Sequence, residues 1–418
     1  MSEWKKVKLG DYIDILSGYA FKSKDFSDSG IPVIKIKNVC PPNISLDDLS
    51  YVPEPIAFQN HRYILHKGDV LIAMTGSHIN QIASVVGRVG RVRYDDVTVL
   101  NQRVGKIVNK DDSRSSLDFI YYYLSQFEVK VELAQKAGGA ANQANISPAD
   151  IKELQFNCPP FETQLRIATI LSRYDILIEN YQKQIKLLEE AAQRLYKEWF
   201  VELRFPGHEN TKMVDGLPEG WERKKIDDVC VSISSGSTPS RNNKNYWENG
   251  TIKWVKTKEL QDGWILDTEE YITQEGYNNS STKMFPENTV LMAIYASPTL
   301  GRLGVLATEC CCNQAALGLI ADETKISWQW LGWKLYELRD DFNSIARGAG
   351  QQNISGIVVK NKMIVVPEKP IIDAFTSFVS KMFEKQKNIS TQIRLLTEAR
   401  DRLLPRLMGG EMEIKSKQ

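Results

Sequence analysis

The sequence lacks most of the features that announce a function. It has no run of about 18 apolar residues, so no membrane-spanning helix is expected. Six cysteines are present, three of them consecutive at Cys310, Cys311 and Cys312, and none forms a CxxC pair. Zinc ligation and a disulfide framework are therefore not expected. The four histidines (His61, His66, His78 and His208) form no ligand or triad spacing and read as surface residues. No glycine-rich loop following a strand offers a nucleotide site. Charge of one sign is also missing: 53 lysines and arginines face 52 aspartates and glutamates, a net of +1. Bulk charge thus gives no support for nucleic-acid binding, and any such surface must be built locally or supplied by a partner. The opening Met1-Ser2-Glu3-Trp4-Lys5-Lys6 lacks the apolar core of a secretion signal, so a cytoplasmic protein is expected.

What is present is a repeat. Residues 142–200 lie over residues 350–408 without a gap, at a constant offset of 208. Asn145-Ile146-Ser147 falls on Asn353-Ile354-Ser355, Gln143 on Gln351, and Pro159 on Pro367. Leu187-Leu188 falls on Leu395-Leu396, Glu190-Ala191 on Glu398-Ala399, and Arg194-Leu195 on Arg402-Leu403. Ordered matches continue upstream with small insertions. Ile31–Lys37 resembles Ile252–Lys258, Val70–Ala73 resembles Val290–Ala293, Gly87–Gly90 resembles Gly301–Gly304, and Asn101-Gln102 resembles Asn313-Gln314. The chain is a tandem of about 1–210 and 211–418.

Each copy begins with short β-type runs such as Pro32–Lys37, Asp69–Met74, Gly87–Arg93, Val104–Val108, Ile252–Thr257 and Thr289–Tyr295, punctuated by Gly, Asn and Ser. Helices are expected over Leu117–Ala137 and Trp328–Ala346. Each copy ends in a heptad seam. Apolar residues recur at Ile167, Leu171, Tyr174, Ile178, Tyr181, Ile185, Leu188, Ala192, Leu195 and Trp199, in alternating steps of four and three. The second copy runs Phe375, Val379, Met382, Gln386, Ile389, Ile393, Leu396, Arg400, Leu403 and Leu407. A long apolar stripe needs a packing partner, and the simplest is the other copy. Gln386 and Arg400 are polar seam residues that fix register or face a partner protein, and Pro405 should kink or end the second helix. A 33-residue helix is ~50 Å long at ~1.5 Å per residue. Side by side and antiparallel, such helices would hold two globular domains at opposite ends.

The fold expected is α+β: two similar α/β domains separated by a pair of long antiparallel coiled-coil helices, with internal pseudo-two-fold symmetry. The boundaries read as domain 1 over 1–158, helix over 159–203, linker over 204–217, domain 2 over 218–366, helix over 367–410 and tail over 411–418.

Several stretches, each unremarkable alone, together resemble the specificity subunit of Type I restriction–modification systems. They are Leu154–Gln164, Gln184–Phe200, Phe200–His208, Leu217–Trp221 and Leu403–Glu411, two of them repeated in order. The resemblance spans essentially the whole chain. It implies a non-catalytic subunit whose two α/β domains are target-recognition domains, binding double-stranded DNA at an asymmetric bipartite target with half-sites about one turn (~34 Å) apart. It also implies docking of two modification (methyltransferase) subunits and of restriction/translocase subunits. S-adenosylmethionine, ATP and Mg are then expected on those partners, none on this chain.

Two other readings compete. A DNA adenine methyltransferase with its own recognition domain would need a methyl-donor fold of regularly alternating strands and helices, which the sequence does not show. Asn157-Cys158-Pro159-Pro160-Phe161 approaches the Asn-Pro-Pro-aromatic motif of such enzymes, but a cysteine interrupts it and the second copy reads Val365-Val366-Pro367-Glu368. A strand end leading into a helix explains both. A coiled-coil scaffold without DNA explains the heptads but not two large diverged globular regions.

Lys35, Lys37, Thr75, Arg88, Arg91, Arg103 and Gln143 are the candidates for the first DNA surface, with Lys22, Lys24, Arg93 and Lys106 beside them. Lys256, Lys258, Tyr295, Arg302, Arg347, Gln351 and Gln352 are those of the second, with Arg241, Lys244 and Lys253. They fall on or beside the repeated loops, where a shared scaffold carries divergent side chains. The Gly/Gln/Asn loops before Ile146-Ser147 and Ile354-Ser355 suit either helix capping or adenine contact. Coiled-coil and partner contacts are assigned to Ile178, Ile185, Leu188, Leu195, Trp199, Phe200, Ile389, Ile393, Leu396 and Leu403.

Overall fold

The tandem is visible in the strand order. The computed structural model describes residues 4–76, 86–138, 144–295, 299–348 and 353–412. Contacts divide the chain into two units, residues 1–177 with 396–418, and residues 178–395. In the first unit a sheet runs in the order Ile13–Ser17, Val104–Asn109, Val70–Ala73, Val89–Arg91, Asn43–Ile44, Val39–Cys40. In the second the order is Cys230–Ser235, Ala316–Ala321, Val290–Ala293, Leu303–Leu306, Gly263–Ile265. The central strands Val70–Ala73 and Val290–Ala293 are buried on both faces, which is why they read as unbroken apolar runs rather than alternating ones. A smaller sheet completes each unit, centred on Ile31–Ile34 with Thr98–Leu100 in the first and on Ile252–Val255 with Cys311-Cys312 in the second. The three consecutive cysteines are core residues, and burial pushes the Cys310 thiol up to about 11 and the Cys311 thiol to about 12.

The helices expected over Leu117–Ala137 and Trp328–Ala346 each break in two. The first gives Leu117–Leu124 and Phe127–Lys136, because Gln126 is extended (ψ 142°) and Ser125 turns its hydroxyl back onto the Tyr121 carbonyl (2.7 Å). The second gives Trp328–Glu337 and Arg339–Gly348. Ser116 and Ser327 cap the two leading helices, accepting from the amides of Phe119 and Trp330.

The long helices run over Phe161–Tyr196, continued by a π-helical turn to Val201, and over Lys369–Met408. Pro405 does not end the second; the helix persists to Met408 and stops at Gly410 in the left-handed region (φ 72°). Inside the second unit the pair is antiparallel. Tyr196 meets Phe375 edge-on and Trp199 meets it at a tilt, while Ile185 and Glu189 share a cavity wall with Gln386 and Ser390. Seam residues Ile178, Ala192, Trp199, Phe375, Val379 and Ile389 are buried, and Ile185, Leu188, Leu195 and Ile393 half-buried. Leu187 and Leu395, one position outside the seam, are exposed.

The polar seam residue Arg400 has a specific partner within the first unit. Its Nη1 donates to buried Asp175 (2.8 Å), which also accepts from the Tyr122 hydroxyl (2.7 Å) and lies 3.7 Å from the Arg93 guanidinium. Burial lowers the Arg400 pKa, but hydrogen bonds to Asp175 and Asp401 outweigh it, and the net shift is upward. The second unit solves the same positions apolarly: Trp333, Phe383 and Ala192 stand where the first has Tyr122, Asp175 and Arg400. There, a cavity of about 350 Å³ opens beside Trp264, Trp333, Phe383 and the other polar seam residue, Gln386.

Candidate nucleic-acid interface

At one end of each main sheet the backbone forms a platform, and the two platforms share a set of backbone hydrogen bonds. The Met74 amide donates to the Arg103 carbonyl (3.0 Å), and the Ile294 amide to the Ala315 carbonyl (2.9 Å). Ile146 then donates to Met74 (2.9 Å), and Ile354 to Ile294 (3.0 Å). Thr75 pairs with Asn145, as Tyr295 pairs with Asn353. The Asn101 amide bonds Ile34 and the Asn313 amide bonds Val255, so matching turns Asn101–Arg103 and Asn313–Ala315 lie at the same place. The Gly87-Arg88-Val89-Gly90 and Gly301-Arg302-Leu303-Gly304 segments are tight turns: Gly87 (φ 74°) and Gly301 (φ 79°) donate to Ala73 and Ala293, both at 2.9 Å.

Close backbone approach fixes the turns. Gly18 and Gly236 donate to Val104 and Ala316. A Cβ on Gly18 would stand 2.1 Å from the Asn101 carbonyl oxygen, and one on Gly236 2.0 Å from that of Cys312. Gly18→Ala is expected to cost about 1–3 kcal/mol by overpacking. It should speed hydrogen exchange at the Met74 and Ile146 amides and leave Ile294 and Ile354 unchanged; equal effects in both units would refute the assignment.

The first platform borders an open recess of about 580 Å³, with Ser17, Gln102, Arg103, Lys136, Asn145 and Ser147 on its wall. Asp150 also lines it, but its carboxylate accepts from the Ser147 amide (2.7 Å) and hydroxyl (2.6 Å) in a capping box. Of the two readings for the Asn-Ile-Ser loops, serine does the capping in both copies, at Ser147 and Ser355. Asn145 instead accepts from the Thr75 hydroxyl (2.7 Å).

A family match covers most of this architecture. The Type I restriction modification DNA specificity domain matches residues 1–190 and again residues 218–395. The chain belongs to this specificity-domain family. Among similar proteins, the Type I restriction enzyme MjaIX specificity subunit of Methanocaldococcus jannaschii is 27% identical over 320 residues, covering 75% of this chain and 73% of that protein. The HindI specificity subunit of Haemophilus influenzae is 25% identical over 342 residues, covering 67% and 73% respectively. The crystal structure of a Type I restriction–modification S subunit from M. genitalium shares the fold over 99% of this chain and 97% of that one, with a TM-score of 0.59 at 16% identity.

Within the specificity-domain fold, the residues expected at the DNA surfaces separate into groups. Arg103 and Gln102 are exposed on the first platform, and Tyr295 is 40% exposed on the second. Arg88 and Arg302 sit half-buried on the matching turns. Most other expected cations have partners within the chain. Arg91 is buried, pairs with Asp118 (2.7 Å) and lies over the Tyr121 ring (4.5 Å). This corrects its assignment to a DNA surface: a buried guanidinium holding its own sheet to the helix Leu117–Leu124 is not available to a phosphate. Thr75 is likewise buried and spent on Asn145, so it shapes the platform rather than facing outward. Lys37 pairs with Asp48, Lys106 with Asp69 (2.7 Å), Lys256 with Glu270 (2.7 Å) and Glu269 (3.1 Å), and Lys258 with Glu269 (2.5 Å). Lys35 donates to Ser50 (2.8 Å), and burial lowers its pKa. Arg241 stacks on Trp247 (3.6 Å) and pairs with Glu270 (2.6 Å). Lys253 donates to the Leu266 carbonyl (2.7 Å). Lys22, Lys24 and Lys244 are exposed. Arg347 lies in the helix Arg339–Gly348. Gln143, Gln351, Gln352 and His78 lie outside the described residues.

The interrupted Asn-Cys-Pro-Pro motif is a structural junction. Asn157 is exposed on a two-stranded ladder, and Gln164 ties the junction by accepting from the Ser116 amide (3.0 Å) and donating to the Pro159 carbonyl (3.1 Å). Among the described residues, no helix is long and apolar enough to cross a membrane.

Proposed function

We propose that this chain is the DNA-reading specificity subunit of a Type I restriction–modification complex, with one unit for each half of an asymmetric bipartite target. The observation that carries the reading is the pair of platforms. Identical backbone bonds carry Arg103 and Thr75 in one unit and Ala315 and Tyr295 in the other. A repeated scaffold with different side chains suits two readers of unlike sequences. Membership of the specificity-domain family over both units supports the same conclusion.

The chain is then non-catalytic. Methyl transfer, ATP hydrolysis and cleavage, with S-adenosylmethionine, ATP and Mg, fall to partner subunits. Support for two copies of one partner comes from the helix surface. Leu187 and Arg194 are exposed, and the identical residues Leu395 and Arg402 are exposed at the repeated positions. Internal packing does not require identity at exposed positions, whereas two equivalent docking sites for modification subunits do. A restriction/translocase subunit would join that assembly.

The test is a gel-shift and methylome pair. The purified chain alone is expected to bind DNA weakly, since its net charge of +1 gives little long-range attraction to the phosphate backbone. With modification subunits it should select one bipartite sequence, the sequence methylated in cells carrying the gene and unmethylated when the gene is deleted. Methyl transfer by the isolated chain, or no sequence preference in the complex, would overturn the reading.

A further inference from the structure

The platforms differ at the third position of an otherwise shared turn. Asn101-Gln102-Arg103 and Asn313-Gln314-Ala315 share the main-chain bonds at their first and third residues and keep the same first two residues. Gln102 and Gln314 are both exposed. At the third position the first unit has an exposed arginine at the rim of the recess, and the second has a buried alanine.

This contrast discriminates between two roles for a surface arginine. Both halves of a DNA target present the same phosphate backbone, so a phosphate contact is useful to both units. A base contact is useful only where the base occurs. Arg88 and Arg302, kept on matching turns, fit the shared feature. Arg103, replaced by Ala315 on a matching turn, fits the feature that differs. Its main chain is pinned to the sheet through the Met74 amide, so the guanidinium is carried on a rigid element rather than a loose loop. A guanidinium presents a planar fork of donors matching O6 and N7 of guanine in the major groove.

We propose that residue 103 is a specificity determinant: Arg103 reads a guanine in the half-site of the first unit, and the second unit, with Ala315 at the same place, makes no such contact. This rests on the DNA-reading function proposed above.

The experiment uses the full chain assembled with its modification subunits, on duplexes carrying the target found by methylome sequencing and on a set with each base pair replaced in turn. Binding is measured at several salt concentrations for the wild type, Arg103→Lys and Arg103→Ala. Lysine keeps the charge and loses the fork. The expected result is that both variants lose roughly tenfold or more of the discrimination at a single G·C pair, in one half-site only. Arg103→Lys should keep the wild-type salt dependence. The proposal is overturned if discrimination at every position survives both substitutions. It is also overturned if Arg103→Ala weakens all duplexes equally, lowers the salt slope by about one and is rescued by lysine, since that is a phosphate contact. A wild-type complex that prefers no duplex would instead defeat the DNA-reading function itself. Thermal melting of the variants checks that the exposed site has been changed without unfolding the unit.

Discussion

Asp175→Ala should destabilise the first unit by about 3–5 kcal/mol, the loss typical of breaking a buried ion pair from one side. Asp175 is 6% exposed and serves Arg400, Tyr122 and Arg93 together, so its removal takes the partner from the Tyr122 hydroxyl and leaves the Arg400 guanidinium with Asp401 alone. Arg400→Ala should cost less, because Asp175 keeps Tyr122 and Arg93. The double variant should cost less than the sum of the two, and their coupling energy is the measure of the pair. Tryptophan distribution makes the experiment unit-specific. Trp4 belongs to the first unit, whereas Trp199, Trp221, Trp247, Trp254, Trp264, Trp328, Trp330 and Trp333 belong to the second. Urea unfolding followed by far-ultraviolet circular dichroism should therefore shift, while the tryptophan-fluorescence midpoint moves less. An Asp175→Ala loss below about 1 kcal/mol would show that the charge cluster adds nothing beyond a surface pair.

Phe375→Ala is the counterpart in the second unit, with an expected cost of about 3–5 kcal/mol. Phe375 is fully buried and its ring meets those of Phe200 (5.1 Å), Tyr196 (6.1 Å) and Trp199 (6.1 Å). Truncation opens a cavity among rings that cannot collapse into it, and it removes edge-to-face contacts worth about 0.5–1.5 kcal/mol each. Here tryptophan fluorescence should report the change directly. Phe375→Leu, which keeps most of the apolar volume, should recover a large part of the loss. A midpoint shift as small for alanine as for leucine would mean that the cluster is loosely packed.

Both clusters involve heptad-seam residues, and the heptads are readable residue by residue in the sequence. Heptad periodicity is a local property: spacing alone decides which residues share a helix face, so Ile178, Ala192, Trp199, Val379 and Ile389 could be named as inward. The same periodicity exposed Gln386 and Arg400 as misfits but gave no partner for either. Asp175 lies 225 residues from Arg400 in the chain, and no spacing rule connects them. The breaks at Gln126 and Leu338 were missed for a related reason. Strongly apolar segments such as Phe119–Leu124 carry no glycine or proline to mark where one buried helix yields to another.

The DNA surfaces were the least legible. A chain with 53 cations and 52 carboxylates gives nearly every lysine and arginine a possible partner. Position near a repeated loop could not separate Arg91 and Lys256, which are paired within the fold, from Arg103, which is exposed. A signal did exist at Arg103, in the register of the repeat: Asn101-Gln102 matches Asn313-Gln314 and the next residue changes from arginine to alanine.

The amino-acid order by itself determined the duplication, the strand-rich bodies, the paired heptad helices and the family, because each is written in spacing or in a pattern met twice. Tertiary structure alone decided which charges are spent internally and which side chains stand on the platforms. Ion pairing and exposure depend on distances between residues far apart in the chain, and only the folded backbone sets those distances.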